Sequence, residues 1–236
     1  LFKPEKHLKR LHSGLTLIQI VLNKSNTELI SLLEEMIRQN RLKSGLLKLM
    51  VTRGEITGTP WNYIGTPNLY ITIRPFTKVP KVPVKVLFYS EEKYPIIRFN
   101  PAIKSLNYIG NMLAKKDAEK AGSFEPVFYN RDKIITECAI RNIFFIKGKT
   151  LITPGLDLGV LPGVIRDTIM EIAPIIGLSV AEKLIPFDSI NEMDEAFISS
   201  TGIGMLPCYW EGWNSKFIET TQLKIRLESI LHSSSE

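Results

Sequence analysis

Cysteine is scarce in this chain: Cys138 and Cys208 are the only two among 236 residues. Two thiols so placed build no disulfide framework, and neither sits in a CxxC or Cys/His cluster, so no metal site is expected and a reducing, cytoplasmic setting is. Also missing is any apolar run near the roughly 18–20 residues of a membrane span. No stretch has the charged, apolar and small-residue layout of a signal peptide, and no membrane partner is expected. Internal repeats are absent, and low complexity is confined to the Ser-rich last residues. The first residue is Leu rather than Met, so further sequence ahead of it is expected.

What is present is ordinary for a globular protein: 44% hydrophobic and 23% charged residues, with length enough for one large domain or two modest ones. The net charge of +6 raises the question of nucleic acid. Its densest part is the start, with Lys3, Lys6, His7, Lys9 and Arg10 within ten residues. Elsewhere the basic residues alternate with Asp and Glu, and no helix-turn-helix, zinc-finger or RNP pattern occurs. Nucleic acid is not expected; a small anionic ligand fits better.

Leucines at 8, 11 and 15 have helical spacing over residues 4–20. "SNTELISLLEEMIRQNRL" opens with Ser25 three residues before Glu28, a capping-box pattern ahead of an amphipathic helix. "LLKLMVTRG", "NLYITIRP", "VPVKVLFYS" and "YPIIRF" read as strands. Between the first two, Gly54 to Pro67 reads as a long loop carrying Trp61 and Tyr63. Beyond residue 100 come a helix over 106–121, strands at 124–130, 133–137, 141–147 and 150–153, and a helix over 163–176. Strands at 179–185, "EAFISS" and 205–210 follow, then a helix from about 218. The expected fold is α/β of the α+β type, without strict βαβ alternation, in two domains, 1–98 and 99–236.

Several residues could carry chemistry. In "NPAIKSLNYIG", Lys104 lies between Ile103 and Leu106. In apolar surroundings a lysine loses its charge readily and becomes a nucleophilic amine; otherwise it is a solvated lysine near a helix start. Glu137 ends "KIITE", where a carboxylate can bond a turn or pair with a protonated ring nitrogen. "LPGVIRDTIMEIA" places Pro-Gly ahead of a helix, so the N–H groups of Gly163, Val164 and Ile165 could hold an anion. "ISSTGIG", residues 198–204, adds hydroxyls and glycines after a strand. Arg10 could add a charge-assisted contact. Each signal is weak alone, but the order of amine, carboxylate and two anion turns suits an aldehyde-and-phosphate cofactor with a ring nitrogen.

"IKSLNY…AKKDAEKAG", "ITECAIRNIFFI", "TPGLDLGVLPGVIR" and "DEAFISSTGIGMLP", together with "HLKRL", resemble the class IV aminotransferases. These fold-type IV pyridoxal-phosphate enzymes include branched-chain and D-amino-acid aminotransferases and 4-amino-4-deoxychorismate lyase. The resemblance implies a small N-terminal α/β domain, a larger C-terminal cofactor domain, pyridoxal 5'-phosphate and a homodimer whose pocket the neighbouring subunit completes, with the Trp61 loop a candidate contributor. It makes Lys104 the Schiff-base lysine and turns Glu137 toward the pyridine nitrogen. Leu161 packs on the ring, and the phosphate is held by Val164, Ile165, Ser200, Thr201 and Arg10. Arg141 and Gly202 are candidate substrate contacts. Transamination between an amino acid and a 2-oxo acid is the favoured reading, because "STGIG" resembles the aminotransferase loop; the alternative is the lyase, releasing 4-aminobenzoate and pyruvate.

Three departures stand beside the resemblance. The family's strands ahead of "HLKRL" are not in this sequence. Ile140 and Arg141 are bulky where the family often has small residues. The stretch Glu55 to Pro60 lacks the arginine/histidine pair that D-amino-acid aminotransferases use on the substrate carboxylate, which disfavours that specificity.

Overall fold

The computed structural model describes residues 1–42, 44–55, 58–59, 62–63 and 65–233. The chain divides into two compact units, Leu1–Lys78 and Val79–Glu236. The division falls earlier than the expected break at 98/99, because the strand "VPVKVLFYS" belongs to the sheet of the second unit.

The first unit opens with α1 (Pro4–Leu17), which buries Leu8 and Leu15, and α2 (Asn26–Asn40), which buries Leu29 and Leu33. The expected capping box is formed: the Glu28 N–H donates to Ser25 Oγ at 3.2 Å, and the Ser25 N–H donates to Glu28 Oε2 at 2.7 Å. His12 reaches Asn26 Oδ1 at 2.9 Å and ties the two helices together. Strands β1 (Leu46–Thr52) and β4 (Asn68–Arg74) pair antiparallel, from Leu46 opposite Arg74 to Thr52 opposite Asn68. Between them the expected loop carries a short hairpin, β2 (Gly58–Thr59) and β3 (Asn62–Tyr63). Trp61 lies outside the described residues.

The second unit is built on one eight-stranded sheet. Its strands are β5 (Val84–Ser90), β6 (Glu125–Tyr129), β7 (Ile135–Cys138), β8 (Asn142–Lys147), β9 (Thr150–Thr153), β10 (Ser179–Glu182), β11 (Glu195–Ser200) and β12 (Gly204–Tyr209). Their order across the sheet is β10-β9-β8-β11-β12-β5-β6-β7. Four strands separate β7 from β8 in that order, yet a tight turn joins them, with the Cys138 N–H donating to the Arg141 carbonyl at 2.9 Å. The sheet therefore curls until its β7 edge meets β8. Side chains from strands all round the curl, among them Val86, Val127, Ile135, Ile143, Ile198 and Leu206, form one continuous core.

Helices α3 (Ile109–Lys120), α4 (Val164–Ile172) and α5 (Ile218–Ser233) complete the unit. Helix α3 uses Gly110, Ala114 and Ala118, at i, i+4 and i+8, as its buried stripe. A buried carboxylate fixes α5: Glu195 accepts the N–H groups of Glu219 and Thr220 at 2.9 and 2.7 Å, satisfying first-turn donors. Two expectations need correction. "YPIIRF" is not a strand; it leaves a 3₁₀ turn at Glu91–Lys93 as irregular chain, and Pro95 offers no N–H to a ladder. Likewise α3 begins at Ile109, so Lys104 sits in irregular chain ahead of the helix.

Candidate active site

Glu137 lies on β7, one residue before the turn to β8, and its side chain is only 14% exposed. Its Oε1 pairs with Arg98 Nη1, and its Oε2 accepts the Leu161 N–H at 3.2 Å. Burial pushes this carboxyl above the usual range, against the opposing pull of Arg98, the Leu161 N–H and the Lys104 charge. Lys104 thus lies close enough to act electrostatically on Glu137. It is exposed, and Leu106 beside it is 52% exposed. The apolar shell expected around this amine is not present, because the segment has not yet entered the buried stripe of α3.

The Leu161 peptide is gripped at both ends. While its N–H meets Glu137, its carbonyl accepts from Asn142 Nδ2 at 2.9 Å. Asn142 opens β8 and stands opposite Ser199 of β11 in the ladder. One strand end therefore gathers both expected anion turns: Leu161–Gly163 ahead of α4, and the Ser200–Gly204 hairpin after β11. Gly163 is the N-cap of α4 and contributes no side-chain cap, so helix geometry leaves the first-turn donors without an intrahelical acceptor. A side chain at Gly163 would fill this space, since an added Cβ would lie 2.2 Å from Asn142 Oδ1. Val164 and Ile165 bury their side chains beneath the turn, while Ser200, Thr201 and Gly202 lie in or beside the hairpin. Ser199 is fully buried, and its hydroxyl has no hydrogen-bond partner among the described residues.

Arg10 lies on α1 in the first unit. The guanidinium of Arg141 is engaged within the protein: Nη1 pairs with the fully buried Glu125, and the group stacks over Phe124 at 4.8 Å. Glu125 also pairs with Lys115 at 3.7 Å and accepts the Ile140 N–H at 3.1 Å. A carboxylate buried that deeply needs a cation close by, and Arg141 supplies it. Arg98 and Asn142 are the site residues that sequence reading did not single out. Asn142 stands in "ITECAIRNIFFI" with Glu137; Arg98 is hidden in an apolar run.

A buried carboxylate, an amine within its field and two glycine-containing turns thus lie together at one strand end. The family model for amino-transferase class IV matches residues 1–209, and the chain belongs to that family. The family's members are pyridoxal-phosphate-dependent enzymes. A D-alanine aminotransferase of Listeria monocytogenes is 32% identical over 216 residues, covering 87% of this chain and 72% of that protein. An aminodeoxychorismate lyase of Bacillus subtilis is 28% identical over 208 residues, covering 85% and 70%. A branched-chain aminotransferase from Thermoproteus uzoniensis shares the fold at a TM-score of 0.86, with 22% identity over 97% of this chain and 79% of that one. Among the described residues no helix is long and apolar enough to cross a membrane, and no group of acidic, His and Cys side chains is arranged to hold a metal ion.

Proposed function

We propose that this chain uses pyridoxal 5'-phosphate to move an amino group between an amino acid and a 2-oxo acid. The setting of Glu137 carries the reading: a largely buried carboxylate with one oxygen engaged by Arg98 and the other aimed with the Leu161 N–H, in the field of Lys104. When bound, the cofactor supplies an aldehyde that an amine can condense with and a protonated ring that draws electrons from the substrate carbon.

The residues fit that group. Glu137 is an acceptor-only anion when ionised, and Oε2 has capacity beyond the one long bond to Leu161 for a ring N–H. The uncapped start of α4 offers the Val164 and Ile165 N–H groups to a phosphate, and Ser200 and Thr201 add hydroxyls. Leu161, held at both ends of its peptide, gives an apolar surface for a ring. Lys104 is exposed and so accessible to an aldehyde, and as an uncharged amine it can take up and return the substrate α-proton.

The purified chain is expected to turn yellow with pyridoxal phosphate and to lose the colour on borohydride reduction. A preparation that stays colourless after the cofactor is added overturns the reading, and a band that persists in Lys104→Ala assigns the amine to another lysine. Incubation with an amino-acid panel is expected to bleach the yellow form. Pyruvate and 4-aminobenzoate from aminodeoxychorismate, without transamination of simple amino acids, would instead assign the lyase reaction.

A further inference from the structure

The segment leading to Lys104 carries a cation, Arg98, whose partners lie on two elements, the 3₁₀ turn and β7. Arg98 Nε and Nη2 donate to Glu91 Oε1 at 2.8 and 2.6 Å, while Nη1 pairs with Glu137 Oε1. Nη2 also reaches Thr136 Oγ1 at 3.1 Å, and the Thr136 hydroxyl donates to Glu91 Oε1 at 2.7 Å. The Arg98, Glu91 and Glu137 side chains are 18%, 15% and 14% exposed, so solvent screens them weakly. The backbone beneath them is fixed as well. Asn100 Nδ2 donates to the Asp157 carbonyl at 3.1 Å, and Gly159, at φ +70°, leaves only enough room for Phe99 and Arg98 to pass.

Arg98 is thus shared. Glu91 receives two of its donors and Glu137, which lies in the field of Lys104 and accepts the Leu161 N–H, one. We propose that Arg98, oriented by Glu91 and Thr136, is a positioning residue that holds Glu137 as an anion aimed at a cofactor ring N–H, with Glu91 setting how much positive charge Glu137 receives. The inference rests on the pyridoxal-phosphate reading above.

Among the described residues, the charged and titratable groups around Glu137 include Arg98, Glu91 from the 3₁₀ turn, Lys104, and Cys138 beside it on β7. Burial of Glu137 favours its neutral acid, and Arg98 opposes this. Removing Arg98 therefore raises the pH at which Glu137 ionises. Glu91→Gln keeps an oxygen for the same donors but removes an anion that competes for the guanidinium, so Glu137 ionises at lower pH. A purely structural role for the cluster predicts no such opposition, because both substitutions disturb one network.

The test follows carboxyl resonances of the whole chain labelled with 13C at the glutamate side-chain carboxyls, titrated without cofactor, with Glu137→Gln identifying the signal. Arg98→Met is expected to move the Glu137 midpoint up, Arg98→Lys to leave it between wild type and Arg98→Met, and Glu91→Gln to move it down. If Arg98→Met does not fold, the direction seen in Glu91→Gln still decides. An unchanged or raised midpoint in Glu91→Gln overturns the proposal. In parallel, pyridoxal phosphate labelled with 15N in the ring is added, and loss of the protonated-ring signal in Arg98→Met is expected. Failure of the wild-type chain to bind the cofactor overturns the pyridoxal-phosphate reading even with the opposite shifts intact. Binding with no opposite shifts overturns the role of Arg98 and leaves that reading standing.

Discussion

At Glu137 burial and ion pairing act in opposite directions, and burial prevails: the carboxyl titrates above its ordinary range despite the Arg98 guanidinium. An unfolded glutamate ionises near pH ~4.3, and the folded one ionises higher. Its contribution to stability is therefore complete below the unfolded value and is lost as pH rises through the folded one. Glu137→Gln removes that loss. Without cofactor, its melting temperature is expected to gain on wild type as pH rises from about 4 toward neutrality. A gap that stays constant with pH would show that Arg98 fully offsets burial, and one that moves the other way that Arg98 outweighs it. With pyridoxal phosphate the ranking reverses, because a charge-assisted bond worth about 1.5–3 kcal/mol is lost, roughly 10–100-fold in affinity. Glu137 could be read from the sequence because a carboxylate ending an apolar strand stands out. Arg98 could not: Ile96, Ile97 and Phe99 around it read as a strand, and its partner Glu91 belongs to no motif. Arg141 misled for the complementary reason, since Glu125 meets it from another strand.

At the scale of elements, the capping box of α2 and the helix start after Pro-Gly were both legible, because each is set by neighbours within a few residues. Why Gly163 must be glycine was not legible, because the cause comes from β8. Its φ of −72° suits any residue, so space rather than backbone freedom excludes a side chain. A Cβ there would meet Asn142 Oδ1 at 2.2 Å and Arg166 Cβ at 3.3 Å, and Arg166 is only 1% exposed. Gly163→Ala is expected to cost about 1–3 kcal/mol and to weaken cofactor binding as the α4 start shifts. Asn142→Ala alone gives up the bond to the Leu161 carbonyl, about 1 kcal/mol. The double variant removes the collision, so urea unfolding should show a combined loss smaller than the sum, with a coupling of about 0.5–3 kcal/mol. Strict additivity would mean that Asn142 can move aside and does not fix the turn.

For the molecule as a whole, the two-part organisation was legible but its boundary was not. A change of texture near residue 100 marks where the site-bearing helix and strands begin, whereas β5 joins the second unit through parallel pairing with β6, which lies beyond α3 in sequence. Parallel partners that distant leave no local trace. The units also differ in how their backbone is held. The second contains an eight-stranded sheet curled around one continuous core, in which β8 and β11 are buried along most of their length. In the first, β1 pairs with β4 in a sheet of two strands, and alternate residues of β4 are exposed. Opening free energies follow buried contacts and protected hydrogen bonds, so the units should not open together. Hydrogen exchange on the whole chain is expected to leave amides of Asn142–Lys147 and Glu195–Ser200 slowest, with Leu46–Thr52 and Asn68–Arg74 exchanging earlier. Added pyridoxal phosphate should slow Leu161–Ile165 most, because its phosphate would occupy their N–H groups. Equal protection across both units would mean that the chain unfolds as a single cooperative body, with the small sheet as firmly held as the large one.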